Sequence, residues 1–211
     1  MFRRQALTHC RRWRIGTRGL RCAGRVQAAP QRQNADVDRD RFWEIVDAAR
    51  ARVDDVDEVP AALVEVLRGR PLAELVAFRE VQDELFDREA YRWDLWAAAY
   101  VINGGASDDG FEYFLGWLMA QGRMRWEATL ADPDSLADVV DADTGDIDGE
   151  EMLYVAPHAA EDEEAFWAAL PDKGEHLPPG PAGEHFDFED GDRMRRLLPR
   201  LTAIFYDEDE R

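Results

Sequence analysis

The chain has 211 residues, a formal net charge of -19 at pH 7, and only two cysteines, Cys10 and Cys22. That length suits one ordinary domain able to bury a sizeable core, and two cysteines exclude a disulfide scaffold or a four-thiolate zinc site. The charge disfavours nonspecific contact of the folded part with nucleic acid or anionic lipid, because a negative surface repels phosphate.

The charge is unevenly spread. Residues 1 to 34 hold nine arginines and no acid, which leaves -28 on the remainder. The leader, residues 1–36, is expected to be disordered and reads as a nucleic-acid arm, a transit peptide, or translated sequence outside the native protein. The last reading is favoured, because the leader has no apolar periodicity and Gly16, Gly19, Gly24 and Pro30 interrupt any amphipathic stretch. Residues 37–206 form an acidic helical domain without cysteine, which suits a reducing cytoplasm, and residues 207–211 are an acidic tail. No stretch has the length and apolarity of a transmembrane helix.

In the acidic domain, Asp38 or Asp40 is placed to cap a helix with Phe42, Ile45, Val46 and Ala49 at helical spacing. A short second helix starts at Pro60, with Leu63, Val64 and Leu67 inward and Gly69 after it. A longer third helix starts at Pro71 and carries Leu72, Leu75, Val76, Phe78, Leu85 and Phe86.

The central stretch, Trp93 to Gly122, reads as a buried helical hairpin. Trp93, Trp96, Ala97, Tyr100 and Val101 fall at i, i+3, i+4, i+7 and i+8, and Leu95, Ala98, Ala99 and Ile102 fill most other faces. Asn103, Gly104 and Gly105 end the first helix, and Ser107 caps the second. The second helix buries Phe111, Phe114, Leu115 and Leu118, presents Asp109, Gly116 and Ala120 on a polar, small-residue face, and ends at Gly122.

The stretch WDLWAAAYVINGGASDDGFEYFLGWLMAQG resembles the core signature of the DUF4240 family of bacterial proteins, with further likeness at Phe42-Trp43-Glu44-Ile45 and Pro199-Arg200-Leu201. The resemblance spans about residues 37 to 206. It implies a single domain and carries no catalytic residues with it, since the family name denotes a domain of unknown function.

Beyond Gly122, a helix through Trp126 and Leu130 stops at Asp132-Pro133. Ser135 to Val140 form at most a turn or two, and Asp141 to Glu151 read as a solvated acidic loop. Residues from about Glu150 to Leu170 return to helix, broken at Pro157, with Met152, Leu153, Phe166 and Trp167 apolar. A Pro- and Gly-dense loop, 171–191, is pinned by Phe186 and Phe188, and Pro199 divides or kinks a last helix from Asp192 to Phe205. The fold expected is therefore all-α, a single compact domain of about seven to nine helices around the central hairpin.

Asp108, Asp109 and Glu112, with Asn103 nearby, have the residue types for acid/base or metal-assisted chemistry. Carboxylates in a first turn also complement the helix dipole without any chemical task. The acidic loop fails as an EF-hand: a frame from Asp141 puts Gly145 at a ligand position, Asp146 where glycine belongs and Met152 where a bidentate glutamate belongs. The histidines show no recognised ligand spacing. Tyr113 and Trp117 lie off the main stripe of their helix, so they are the aromatics expected to face a groove or partner.

These readings favour a non-enzymatic, cytoplasmic interaction module with an acidic surface, a basic protein as partner, no cofactor, metal or membrane, and no nucleic acid bound by the folded domain. The alternative is a small-ligand or metal-assisted enzyme using Asn103, Asp108, Asp109 and Glu112. The chain has 25 arginines against one lysine, Lys173, as in a GC-rich genome where GTG serves as a start codon. Val37 is therefore the expected native start. Intact-mass spectrometry of the protein from its own host checks this, and recovery of Arg3 to Asn34 in the mature chain refutes it.

Overall fold

Asp38 accepts a hydrogen bond at Oδ1 from the Arg41 amide at 2.8 Å, capping α1, Arg39–Arg50. Asp40 instead pairs with Arg123. The computed structural model describes residues 37–144, 146–171 and 178–206. The leader at 1–36, the tail at 207–211, and Gly145 and Lys173 lie outside the described residues.

The inner face of α1 buries Phe42, Trp43, Ile45, Val46 and Ala49. A 3-10 turn, Val56–Glu58, leads into α2, Val59–Leu67, whose Pro60 sits in the first turn. There its missing N–H has no helical acceptor to lose. Helix α3, Leu72–Glu84, runs on into a π-helical turn, Leu85–Ala90, that buries Leu85, Phe86 and Ala90. Ring contacts lock this layer: Phe42 meets Phe78 at 4.5 Å and Phe86 stacks on Trp126 at 6.0 Å.

Against this layer lies the hairpin of α4, Trp93–Asn103, and α5, Asp108–Ala120. Helix α4 is buried nearly all round, as its composition predicts. Gly104 ends it at φ 63°, a left-handed conformation that a Cβ disfavours, and Ser107 Oγ accepts from the Gly110 amide at 3.1 Å to start α5. Trp96 lies flat on Phe111, with ring centroids 4.7 Å apart, and its Nε1–H donates to the Ala106 carbonyl at 3.1 Å.

Of the polar, small-residue face expected on α5, Asp109 is exposed, but Gly116 and Ala120 do not stand in solvent. Gly116, Trp117, Met119 and Ala120 are buried along with the apolar stripe, because a distant segment of chain covers them. Gly122 follows the Gln121 cap and precedes α6, Arg123–Ala131. Asp47 of α1 caps that helix from outside, its Oδ1 accepting from the Arg123 amide at 2.9 Å.

A 3-10 segment, Pro133–Asp138, follows α6, and another, Glu150–Tyr154, leads into α7, Val155–Ala159, then α8, Glu163–Ala169. Pro157 is not the break expected in this region. It lies in the first turn of α7, and the chain turns extended at Ala160, before Asp162 caps α8. The last helix is divided at Pro199, into α9, Gly191–Leu197, and α10, Pro199–Phe205.

Leu198 offers α10 no side-chain cap, and Asp134 supplies it across the fold. Asp134 is 6% exposed and accepts from the Arg200 and Leu201 amides at 3.0 Å. Beside it the Arg200 guanidinium hydrogen-bonds Asp138 and holds that carboxyl below its usual range.

Residues 178–190 lie against the outer side of α4. Phe186 is buried, Arg193 sits 4.4 Å over its ring, and the Tyr100 hydroxyl donates to Glu189. That hydrogen bond pushes the phenol up to about 12. Among the described residues there are ten α-helices and no strand, only an isolated bridge between Arg92 and Ala182. The all-α class therefore holds, the tally rising to ten because short turns divide the C-terminal helices. None of the described helices is long and apolar enough to cross a membrane.

Trp96→Ala is expected to cost roughly 3 to 5 kcal/mol, because it removes a large buried ring from the middle of the hairpin. Urea denaturation of the variant measures this, and an unchanged midpoint refutes the central place given to Trp96.

Candidate functional site

The segment that covers the far face of α5 is the acidic loop. Asn103, at the end of α4, grips Ile147 from both sides: its Oδ1 accepts from the Ile147 amide at 3.0 Å and its Nδ2 donates to the Ile147 carbonyl at 3.1 Å. Two residues on, Gly149 lies against Gly116 backbone to backbone. A Cβ built on Gly116 falls 2.2 Å from the Gly149 carbonyl oxygen, and one built on Gly149 falls 2.0 Å from the Trp117 amide nitrogen. Neither position has room for a methyl group.

The expectation of a solvated loop holds for Asp141, Ala142 and Asp143, which are exposed, and is corrected from residue 146 on. Ile147 and Gly149 are buried, while Asp146, Asp148 and Glu150 alternate with them on the outside. That is the period of an extended chain with one face packed. Asp148 Oδ1 accepts from the Glu150 amide at 2.9 Å, and the Tyr113 hydroxyl donates to Glu150 at 3.3 Å. Burial, and then the Glu150 charge, raise the Tyr113 phenol above its ordinary value. Gln82, fully buried on α3, donates to the Met152 carbonyl at 2.9 Å and anchors the end of the segment.

Docking the loop creates a groove. Its other wall is the turn after α1, with Asp54, Asp55, Val56 and Asp57. Two contiguous recesses, of about 350 and 830 Å³, share Val56, Asp57, Trp117 and Asp148 in their linings. Trp117 forms the floor with Pro60 and Ala120, only 7% exposed. Arg50 also lines the groove, but its guanidinium is turned to the Val53 carbonyl at 2.8 Å, closing the end of α1.

Elsewhere on the domain arginines neutralise the acids, as in Arg39–Glu89, Arg70–Glu74, Arg123–Glu127 and Arg200–Asp138. Among the described residues no such pair involves Asp54, Asp57, Asp146, Asp148 or Glu150. The groove brings carboxylates from two distant segments together without an ion pair among them.

The four residues proposed for chemistry do not stay together. Asp108 and Glu112 share a second recess, of about 230 Å³, with Tyr91, Trp96, Phe111 and Asp87. Burial, followed by the charges of Asp108, Asp87 and Glu112, raises the Tyr91 phenol. Asn103 is committed to the acidic loop through Ile147, and Asp109 is exposed outside that recess. Among the described residues no three His, Cys, Asp or Glu side chains converge to hold a metal ion. His158 stacks on Tyr154, and His185 meets the Trp93 ring edge-on at 4.5 Å.

Trp117 lines the groove, whereas Tyr113 meets the loop at Glu150 and lines neither recess. Sequence reasoning missed the opposing wall at Asp54–Asp57, which is near Trp117 only in three dimensions. The alternation Ile147-Asp148-Gly149 was the available sign that the loop packs.

Gly149→Ala is expected to lower stability by roughly 1 to 3 kcal/mol, because its Cβ meets backbone that cannot move aside. Gly180→Ala, with no atom within 4 Å of its Cβ, is expected to stay within about 0.5 kcal/mol of the parent. Urea titrations of the two variants check the contrast.

Comparison with known families matches residues 37–168 to the family described as "Protein of unknown function (DUF4240)". The match takes in α1, the hairpin and the acidic loop, and ends before α9 and Pro199-Arg200-Leu201. Neither the search of curated proteins nor that of solved structures gives a match. Over the segment that builds the groove, this chain belongs to the DUF4240 family.

Proposed function

We propose that the protein is a non-enzymatic, cytoplasmic interaction module that binds a basic protein in the groove between the Asp54–Asp57 turn and the docked acidic loop. The observation that carries this reading is the placement of unpaired carboxylates on both walls of a recess floored by Trp117. A groove with an apolar floor and charge of one sign on its rim favours a partner of the opposite sign by steering its approach and rejecting acidic competitors. Nucleic acid and anionic membranes are repelled by the same field. The cytoplasmic setting rests on the acidic domain's lack of cysteine.

A second reading, a small-ligand site, draws support from the recess holding Asp108, Glu112 and Tyr91. The interaction reading ranks above it because Asn103 and Asp109, the other members of that cluster, do not line this recess.

The chain, immobilised and incubated with lysate of its own host at low ionic strength, is expected to retain a specific basic protein. Elution at high salt should follow, since rim charges are screened within about 3 Å at 1 M. Retention should fall when Asp57 and Asp146 are both changed to Asn. Failure to recover a specific basic protein contradicts the proposal, as does recovery that the double variant leaves unchanged.

A further inference from the structure

We infer that the groove takes its basic partner as an extended segment, with the Trp117 indole N–H donating to a main-chain carbonyl of that segment while carboxylates on the two walls receive its cationic side chains. The inference rests on the interaction reading above and adds the mode of binding.

Trp117 is more than nine-tenths buried, at 7% exposure, so its ring is held rigidly by α5 and the loop. Its Nε1–H has no acceptor among the described residues, yet it is absent from the enclosed polar atoms that lack a partner, which include the Trp43 and Trp126 indole nitrogens. The Trp117 nitrogen is therefore not sealed from solvent, and the recesses that the residue lines are the openings beside it. A donor open to a recess is hydrated while the recess is empty, so an occupant that displaces that water must offer an acceptor of its own or lose a hydrogen bond.

The occupant must bring an acceptor to the floor and positive charge to the rim. Nucleic acid brings acceptors and the wrong charge, whereas a polyamine brings the charge and no acceptor. A second copy of this acidic chain meets like charge, and a metal ion finds no three convergent ligands among the described residues. A basic polypeptide meets both requirements. It must be extended, because a helix spends its carbonyls on its own amides. Extended chain also sends successive side chains to opposite sides, which suits a groove with Asp54 and Asp57 on one wall and Asp146 and Asp148 on the other.

The test uses the full chain with two probes, a capped hexa-arginine peptide and spermine, at about 0.15 M ionic strength. In nitrogen-15 spectra of the seven tryptophan indoles, the Trp117 resonance is identified by its loss in Trp117→Phe. The peptide is expected to move that resonance downfield, and spermine is not. Trp117→Phe is expected to bind the peptide about five- to tenfold more weakly, the loss of one hydrogen bond, and spermine unchanged. Asp57→Asn with Asp146→Asn, whose side chains accept no hydrogen bond within the described fold, is expected to weaken both probes. Equal peptide affinity in Trp117→Phe, with no indole shift in the parent, overturns the carbonyl contact and leaves the interaction reading standing. No peptide binding, or binding indifferent to the double Asn variant, overturns both.

Discussion

Gly149 and Gly116 meet with no space for a side chain on either, and the character of the groove depends on that contact. A glycine inside a helix costs about 1 kcal/mol relative to alanine, and α5 accepts that cost at Gly116. In return the loop backbone lies directly on the helix, and the Asn103 amide grips Ile147 with one donor and one acceptor. The contact seals the second face of α5, which explains why Met119 and Ala120 are buried outside the stripe facing α4. It also fixes where the loop's carboxylates stand. A loop free in solvent would average its charges over many positions, whereas a docked one presents them along one wall.

The arginines complete this arrangement from elsewhere. Arg92 joins Asp94 to the Leu130 carbonyl, Arg79 joins Asp83 to the Leu153 carbonyl, and Arg123 links Asp40 of α1 to Glu127 of α6. The solvent-facing pairs of Arg123 are each worth about 0 to 1 kcal/mol, so their main effect is on where charge remains rather than on stability. With these cations spent on helix junctions, the carboxylates on the two walls of the groove keep their charge uncompensated. Trp117 lies between those walls.

Among the described residues, the hairpin thus borders the groove and a separate recess of different chemistry. The one beside Tyr91 is small and aromatic-walled, with Asp108 and Glu112 from the first turns of α5. The one beside Trp117 is larger, lies toward the other end of α5, and is framed by two segments distant in the chain. Both fall within residues 37–168, apart from Pro178 at the edge of the smaller. The C-terminal helices lie outside that span, and Asp134 ties them in by capping α10 where Leu198 offers nothing.

Local chemistry by itself determined the helices. The capping acids and serine, the glycine turn at Gly104 and the prolines at helix starts act within a turn of their own position, so Asp38, Ser107 and Pro60 sit where spacing places them. The all-round apolarity of α4 likewise dictated burial without reference to a partner. Tertiary structure alone decided what depends on distant chain. Gly116 has no local role in a helix, and its meaning comes from Gly149. Asn103 and Asp109, neighbours of Asp108 in sequence, are drawn away from its recess, Asn103 because Ile147 satisfies its amide. The groove appears only when the turn after α1 and the loop before α7 meet across Trp117, since a wall built from segments some ninety residues apart leaves no periodicity in either one.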